Sequence, residues 1–541
     1  MGKKKTKAIT PRSAQLANFV STEAAHNSVR NTGLILPDDL ALYIVMALLA
    51  LVPILVHPVM VSFASPFWGQ PYLSTGAHID LGFFKFALLG AGVIFLVCIM
   101  LYKIAFDGFA VFPTYINLPS VLLVLTFLLA CILAQYKSIA LYGSWYRHEG
   151  MLTYLFYLML LIVCANLRYT VQNYHRILYA LTPLLLVNLM LSISSFYGYN
   201  LLSIHVFNWL FLGNTPYTQL QGTFNTTLEN QNYMSGIGGT MTVIFLTLAV
   251  LTKALKGRVV WGVLALLSFS MVLTSLSTSG FLTIIVVFPV ILILLFLAKD
   301  RQRGLITLGV CVLVCTAIFF TLNAHDGRIW SKDVGFFGTV THSIFPGREA
   351  NNTHVGQSQS GRPSGASAAS AANSGNIFTL PPPGLGPGDG RIFIWRKTLA
   401  LIKQKPWLGY GLDTLAYYFP QDDPQMGPQE GDYNVFIDKP HDIYLDVAFG
   451  GGLLSLLVFL LLLGRHLAAN IKLFITHKVS GERGVFAAGL FVGWCAYLFQ
   501  GLFNDSILST GFIFWILFGV SVALVREEQS KPTLGKRILQ K

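Results

Sequence analysis

A histidine and two aspartates lie at the start of a long apolar segment near the C-terminus. Residues Lys439–Gly452 read KPHDIYLDVAFGGG. Ionisable groups beside hydrocarbon are costly and usually functional. His441 suits general base catalysis, because imidazole titrates near neutral pH, and Asp438 or Asp442 is placed to orient its ring. The pattern therefore predicts a proton-transfer site where the chain enters this apolar segment.

The composition indicates that these residues belong to an integral membrane protein. The chain has 541 residues, of which 54% are hydrophobic and 11% are charged, whereas soluble domains are about 25% charged. Its six cysteines all lie in apolar runs without metal-ligand spacing, so we predict no metal site and no disulfide framework. The adjacent Asp422 and Asp423 have no further ligand pattern and favour a solvated turn.

Apolar segments long enough to cross a bilayer, about 20 residues each, recur along the chain. We predict that each is a helix, because lipid offers the backbone no hydrogen-bond partner. The predicted fold is an all-α polytopic membrane protein with about 12 transmembrane helices. The segments are 40–63, 81–102, 118–136, 151–167, 177–196, 233–252, 259–277, 280–298, 304–322, 442–463, 485–503 and 507–525.

Lysine and arginine positions predict the orientation of these helices. With the N-terminus in the cytoplasm, most of the 37 basic residues fall in cytoplasmic segments, as the positive-inside rule requires. The formal charge of +13 is then a topology signal rather than a nucleic-acid footprint. The predicted regions are a basic cytoplasmic arm (1–39), helices one to nine (40–323), a large outer loop (324–440), helices ten to twelve (441–526) and a basic cytoplasmic tail (527–541).

The outer loop has two distinct parts. Its low-complexity segment, 350–390, cannot bury enough apolar surface to offset the entropy of ordering it. Residues 391–405 show helical spacing of apolar residues flanked by cations, and Pro406 ends the run. A basic amphipathic helix of this kind is typical of a membrane interface, with a plain lid helix as the alternative. The apolar stripe comprises Ile392, Trp395, Leu399 and Ile402.

Three motifs carry a resemblance to a known superfamily. A pattern of the form R…W…P-x-x-G-x-G, then H-N-x-Y-L…G-x-x-G, is filled by Arg391, Trp395, Pro406, Gly409, Gly411, His441, Tyr444, Leu445 and Gly450 to Gly452. The stretches GTF…NQNY (222–233) and YGSWYRHEG (142–150) match two looser motifs. Together they resemble the O-antigen ligase and O-antigen polymerase superfamily of bacterial membrane glycosyltransferases.

The chain departs from the superfamily pattern at three places. Asp442 follows His441 where the pattern has asparagine. Gln221 stands where many members carry an arginine, and SLSTSG (275–280) lacks the arginine of an S-R-G motif.

The resemblance implies a GT-C-like fold and a metal-independent, inverting glycosyl transfer. A glycan carried on polyprenyl pyrophosphate would move onto an acceptor hydroxyl at the outer face of the bacterial inner membrane. The implied partners are this lipid-linked donor, a glycan, lipid or protein acceptor and membrane lipids, with no nucleic acid and no cofactor. A polymerase is the first expectation, because its donor and acceptor are both membrane-tethered. An O-antigen ligase, a protein O-oligosaccharyltransferase, or a lipid-glycan flippase or transporter are the alternatives.

This chemistry gives the candidate residues their expected roles. Arginine suits pyrophosphate, because its planar fork binds two phosphate oxygens at once. The expected pyrophosphate-binding residues are Arg147 and Arg391, with Arg396 and Lys439 behind them, and His441 is the expected base. Residues expected to bind sugar or acceptor, or to orient the base, are Asp438, Asp442, Asp446, Asn232 and Tyr233, with His148 and Glu149 as further candidates. Plainer alternatives are an interface anchor for Arg147, helix capping for Asp446, and packing for Asn232 and Tyr233.

Overall fold

Helices dominate the part of the chain that the structure describes. A computed structural model describes residues 37–62, 77–213, 215, 226–333, 382–384, 390–433, 435–477 and 479–530. The basic arm before residue 37, most of the low-complexity segment 350–390, and the tail after 530 lie outside these residues. So do Gln221 and the GTF motif.

The helices, numbered in chain order, are α1 Pro37–Leu51, α2 Phe83–Phe106, α3 Asn117–Leu133, α4 Lys137–Tyr142, α5 Met151–Asn166, α6 Val171–Tyr179, α7 Thr182–Phe196, α8 His205–Leu212, α9 Gln231–Leu251, α10 Leu255–Thr274, α11 Thr278–Leu297, α12 Arg301–His325, α13 Arg328–Asp333, α14 Arg391–Gln404, α15 Met426–Glu430, α16 Ile443–His477, α17 Gly481–Gln500 and α18 Leu508–Ser530. Short 3₁₀ turns lie at Leu201–Ser203 and Leu415–Tyr417. The strands β1 Val59–Ser62 and β2 Ala77–Asp80 form one antiparallel pair, with Val59 opposite Asp80.

The described chain is that of a polytopic membrane protein. By length and composition, 8 helical stretches are able to cross a membrane: α2, α6 with α7, α9, α10, α11, α12, α16 and α18. The four other segments predicted as spans are helical too, as α1, α3, α5 and α17. Three of these have only 15, 17 and 16 residues, and α17 has 20 residues but begins with the charged sequence GERG.

Several predicted helix boundaries were wrong. The first segment was predicted to run to residue 63, but α1 ends at Leu51, because Pro53 lies in a turn and the chain then enters β1. The tenth segment was predicted to end at 463, yet α16 continues to His477. Its extension remains helical because Leu473 and Phe474 still bury their side chains against the helix bundle.

The amphipathic helix predicted at 391–405 exists as α14, but its buried face differs from the predicted stripe. Phe393 and Ile394 are buried, whereas Ile392 and Leu399 are 39% and 44% exposed. The cause is tertiary packing, because this face joins a small core with Phe419 and with Phe449 of α16. The predicted stripe is therefore divided: Ile392 and Leu399 point away from the protein, whereas Ile402 is buried in this core.

Helix packing brings distant segments of the sequence to one end of the bundle. Helix α9 is buried along almost its whole length and packs on α10, α11 and α17. Helix α18 packs on α5, and α14 lies on α16. The loop before α5, the first turn of α9, the segment before α16 and the segment between α17 and α18 consequently meet.

Candidate active site

His441 is held by a carboxylate from another part of the chain. Its Nδ1 lies 2.7 Å from Oδ2 of Asp505, in the segment between α17 and α18. The Asp505 side chain is fully buried, whereas the His441 side chain is 35% exposed. An imidazole that donates from Nδ1 to a carboxylate keeps its Nε2 lone pair free to accept a proton. The sequence predicted that Asp438 or Asp442 orients the ring. In the structure the carboxylate that contacts the ring is that of Asp505.

Arg147 connects the two expected sugar-site residues Asp438 and Tyr233. Its Nε donates to Oδ2 of Asp438 at 2.6 Å, and its Nη1 donates to the Tyr233 hydroxyl at 2.8 Å. The Tyr233 hydroxyl lies 3.5 Å from Oδ2 of Asp505. These contacts join Asp438, Arg147, Tyr233, Asp505 and His441 into one chain, which we call the His441 network. The structure thus brings four of the predicted site residues together.

The backbone around His441 is locally constrained. His441 itself has φ +54°, a left-handed conformation that costs a non-glycine residue roughly 1–2 kcal/mol. Asp442 then accepts a hydrogen bond from Leu445 N at 2.8 Å, which caps the start of α16. The indole of Trp395 donates to the Pro440 carbonyl at 2.9 Å. His441 is thereby fixed between the α14 helix and the start of α16, and Asp442 acts as a cap.

The glycine motifs after α14 have a structural explanation. The loop at 406–411 lies against a kink in α16, where Tyr410 N and Gly411 N donate to the carbonyls of Phe449 and Gly450, both at 2.9 Å. A Cβ on Gly409 would come within 2.3 Å of the Phe449 carbonyl oxygen. Gly452, with φ +76°, would meet Trp407 O at 2.1 Å. These positions require glycine because two backbones touch there, so this part of the motif builds the support of the site.

Lys439, which directly follows Asp438 of the His441 network, is enclosed by three carboxyl groups. Its side chain is fully buried, and its Nζ lies 3.0 Å from Asp446, 3.2 Å from Asp413 and 3.6 Å from Glu149. A lysine engaged in this way has no donor left to reach a substrate phosphate. The placement supports a structural role for Lys439 and Asp446 rather than the predicted contacts with pyrophosphate and sugar.

Neighbouring charges set the protonation of the residues outside the spans. Burial alone would lower the pKa of His441, but the charge and hydrogen bond of Asp505 raise it above 6.5. Burial alone would raise the pKa of Asp505, but His441 and Arg147 hold it well below its usual range. Burial raises the pKa of Glu149 to about 8, with Asp413 adding to the effect. Burial likewise raises the pKa of Asp442 to about 6.

The two arginines of α14 occupy different positions. Arg391 is half-buried and lies one turn before Trp395, whose indole contacts Pro440. Side chains four residues apart share a helix face, so Arg391 lies on the same face of α14 as Trp395, which contacts the residue before His441. Arg396 is exposed. Arg391 and Arg396, both expected from the sequence to bind pyrophosphate, therefore differ in their exposure and in the face of α14 that they occupy.

Asn232, in the first turn of α9, is hydrogen-bonded to the neighbouring SLSTSG turn (275–280). Its Oδ1 accepts from the Ser277 hydroxyl at 2.6 Å. Ser235 donates to the Ser277 carbonyl at 2.7 Å, and Gly280 N donates to the Ser235 hydroxyl at 2.9 Å. Hydroxyl hydrogen bonds therefore hold together the SLSTSG turn, where the superfamily pattern has an arginine.

Sequence reasoning missed several residues that border the site. Asp505 stands alone in GLFNDSI, and no spacing pattern marks it. Asp413 accepts from Ser144 N at 2.6 Å, and Asp80 lies 2.8 Å from the Nε2 of His148. Asp423 pairs with Lys397 and accepts from Gln425 N, which forms the predicted turn. In the described residues no group of three His, Cys, Asp or Glu side chains is arranged to hold a metal ion.

Backbone strain is concentrated in the segments around the His441 network. Of the described non-glycine residues with positive φ, His441 belongs to this network, His148 directly follows Arg147, and Asp413 contacts Lys439, which directly follows Asp438. Such strain persists where the surrounding structure enforces it, and it clusters at functional sites. The residues are His148, Glu229, Leu276, Asp413 and His441.

Comparison with known proteins finds a family model that matches part of the chain. Residues 262–460 match the O-antigen ligase family (Wzy_C). The match includes α14, His441 and the kink of α16, whereas Arg147, Tyr233 and Asp505 lie outside it. No curated protein matches the chain with significance. Residues 262–460 are thus an O-antigen ligase family domain within a multi-pass membrane protein.

Proposed function

We propose that the protein transfers a glycan from polyprenyl pyrophosphate to an acceptor hydroxyl at the outer face of the bacterial inner membrane, most simply as a polysaccharide polymerase. One observation supports this above the others. A half-exposed histidine, oriented by a buried carboxylate, lies in one hydrogen-bonded network with an arginine. That combination supports the proposal, because transfer to a hydroxyl needs a base and a nearby cation for the anionic leaving group.

His441 Nε2 takes the proton of the acceptor hydroxyl as its oxygen attacks the anomeric carbon. The bond between that carbon and the pyrophosphate oxygen breaks, and its electron pair leaves with the pyrophosphate. Attack opposite to the leaving group inverts the anomeric centre. Asp505 stabilises the imidazolium that forms, as its low pKa keeps it ionised.

The pyrophosphate needs cations that are already in position. Arg147 uses its Nε and Nη1 to bond Asp438 and Tyr233, and these bonds fix the plane of its guanidinium. Its remaining N–H groups are then preorganised for a phosphate oxygen. Arg391, on the Trp395 side of α14, supplies the second cation.

Orientation is tested by labelling cysteines placed on opposite ends of the bundle. Ser203 and Gln302 are exposed and lie on opposite sides of the predicted membrane. A membrane-impermeant thiol reagent added to intact cells should label Ser203→Cys and leave Gln302→Cys unlabelled. The reverse pattern would place the His441 network in the cytoplasm and contradict the proposal.

Glycan analysis of a deletion strain separates the polymerase from the ligase. Loss of a polymerase leaves surface glycans of a single repeat unit. Loss of a ligase, or of a protein O-oligosaccharyltransferase, leaves full-length glycan on the lipid carrier and a bare acceptor. A deletion that changes neither product would contradict transfer of either kind.

A further inference from the structure

A carboxylate without a role in the steps above lies just before α9, four residues from Tyr233 of the His441 network. Glu229 is bound through Oε1 to Nζ of Lys85 at 2.5 Å. The Lys85 side chain is fully buried, whereas that of Glu229 remains 29% exposed. One oxygen of this carboxylate is therefore fixed by the protein, while part of the group stays open to a ligand.

Lys85 is an unusual residue to bury at this position. It lies in the first turn of α2, a helix apolar enough to cross a membrane, where a charged group is expensive. Its ammonium also donates to the Thr227 carbonyl and the Ser509 hydroxyl, both at 2.9 Å. All three of its donors are thus engaged, and among the described residues the charged partner of this buried cation is Glu229.

The backbone of Glu229 is held in a strained conformation as well. Its φ is +68°, in the left-handed region that a non-glycine residue rarely adopts. Strain of this kind persists only where surrounding contacts enforce it. Lys85 supplies the contact to the side chain, and the Thr227 carbonyl anchors the same turn.

Its place in the sequence and the contacts of α2 link Glu229 to the segments that carry the His441 network. It lies four residues before Tyr233, which contacts Arg147 and Asp505. Lys85 also binds Ser509, four residues after Asp505. The start of α2 packs on the loop that carries Arg147, since a Cβ on Gly82 would come within 3.3 Å of Tyr146 O. Lys85 therefore ties Glu229 to both segments that support the network.

The charge of Glu229 indicates which part of the substrate it meets. A partly exposed carboxylate repels pyrophosphate, so it belongs on the sugar side of the reacting bond rather than the phosphate side. Carboxylate oxygens accept strong hydrogen bonds from hydroxyls. We propose that Glu229, preorganised by Lys85, binds hydroxyls of a sugar ring next to the reacting bond, an inference that rests on the proposed glycan transfer.

Steady-state kinetics of Glu229→Gln test this role and identify the sugar. Purified protein in liposomes is assayed with donor and acceptor varied separately. Loss of one charge-assisted hydrogen bond predicts about a tenfold rise in one KM with a smaller change in kcat. A rise in the acceptor KM assigns the acceptor ring, and a rise in the donor KM assigns the donor ring. Unchanged KM values for both would overturn the inference.

A double variant separates sugar binding from a purely structural ion pair. Glu229→Gln alone leaves the Lys85 charge without a counter-ion, whereas Lys85→Met with Glu229→Gln removes both charges. A structural role predicts that the double variant recovers wild-type KM. Sugar binding predicts that the raised KM persists, because the carboxylate is still absent. Glu482→Gln, at an exposed carboxylate at the opposite end of the bundle, is the matched control.

A binding measurement keeps this inference distinguishable from the transfer activity itself. The probe is the free oligosaccharide repeat unit, released from the surface polysaccharide of the producing bacterium. Binding at least tenfold weaker to Glu229→Gln than to wild type supports sugar recognition by Glu229, even when no transfer is detected. Absence of transfer would contradict only the proposed reaction. Equal binding to both proteins would overturn sugar recognition while leaving the reaction to its own test.

Discussion

Asp505 holds the imidazole of His441 across 64 residues of sequence, with Nδ1 and Oδ2 2.7 Å apart. This pair joins the segment before α16 to the segment between α17 and α18. The exposed ring edge faces outward while the carboxylate is fully buried. His441 is therefore oriented and electrostatically supported before any substrate binds.

Because Asp505 contacts His441, we expect the dependence of kcat/KM on pH to shift in Asp505→Asn. A general base must be neutral, so kcat/KM of the wild type should fall as the pH drops through the His441 pKa, which Asp505 raises above 6.5. Removing the negative charge lowers this pKa, so the acid limb should move to lower pH. The maximal rate should also fall roughly 10²–10⁴-fold, because an amide can donate to Nδ1 and favour the wrong tautomer. An acid limb at the same pH as in the wild type would exclude coupling between the two residues.

The transfer rate should depend on the planar shape of the Arg147 guanidinium as well as on its charge. Arg147→Ala is expected to reduce kcat/KM by roughly 10²–10³-fold, as loss of a preorganised donor does elsewhere. Arg147→Lys should recover only part of this loss, since an ammonium lacks the fork that bonds Asp438 and Tyr233 together. Transfer assays in liposomes measure both, with the exposed Arg303→Ala as control. Full activity of Arg147→Ala would reduce this arginine to an interface anchor.

The arginines of α14 make a matched pair within one helix. Arg391→Ala should lower kcat/KM about tenfold or more, because the substitution removes a half-buried cation and its proposed charge-assisted hydrogen bond to phosphate. Arg396→Ala should change it about fivefold or less, because Arg396 is exposed and exposed charges contribute little. The same transfer assay compares them. Equal losses in both variants would mean that α14 acts through its overall charge rather than through one residue.

The cluster around Lys439 should govern stability rather than turnover. Lys439→Met leaves buried carboxylates without their cation, which costs about 3–5 kcal/mol when a buried pair is broken. Glu149→Gln should be tolerated, because burial raises the Glu149 pKa to about 8 and the group is already neutral at pH 7. Thermal unfolding in detergent distinguishes the two, with the exposed Lys332→Met as control. An unchanged melting temperature for Lys439→Met would argue against the structural role.

Hydropathy predicted the fold more fully than it predicted the helix ends. The twelve apolar segments are all helical, because lipid leaves the backbone no other way to satisfy its hydrogen bonds. The end of α1 depends on Pro53 and on pairing between β1 and β2, a contact between segments that no local pattern announces. The buried face of α14 depends likewise on Phe419 and Phe449, which lie elsewhere in the sequence.

The candidate site was predicted only in part, because it too depends on contacts between segments that are distant in the sequence. His441, Arg147, Tyr233 and Asp438 were identified from local motifs, and the structure joins them. Asp505 was missed, because a single aspartate in a short loop carries no periodicity or spacing. The role expected for Lys439 assumed an accessible side chain, and its burial among three carboxylates is visible only in three dimensions.

The most direct test of the account is the turnover of His441→Gln. Glutamine keeps much of the size of histidine and one hydrogen bond to Asp505, but it cannot accept a proton. Transfer in liposomes should fall roughly 10²–10⁴-fold, the usual contribution of general base catalysis, with the protein still folded and His205→Gln, at an exposed histidine, unaffected. Near-normal turnover of His441→Gln would contradict the account, because the histidine would then only position substrate.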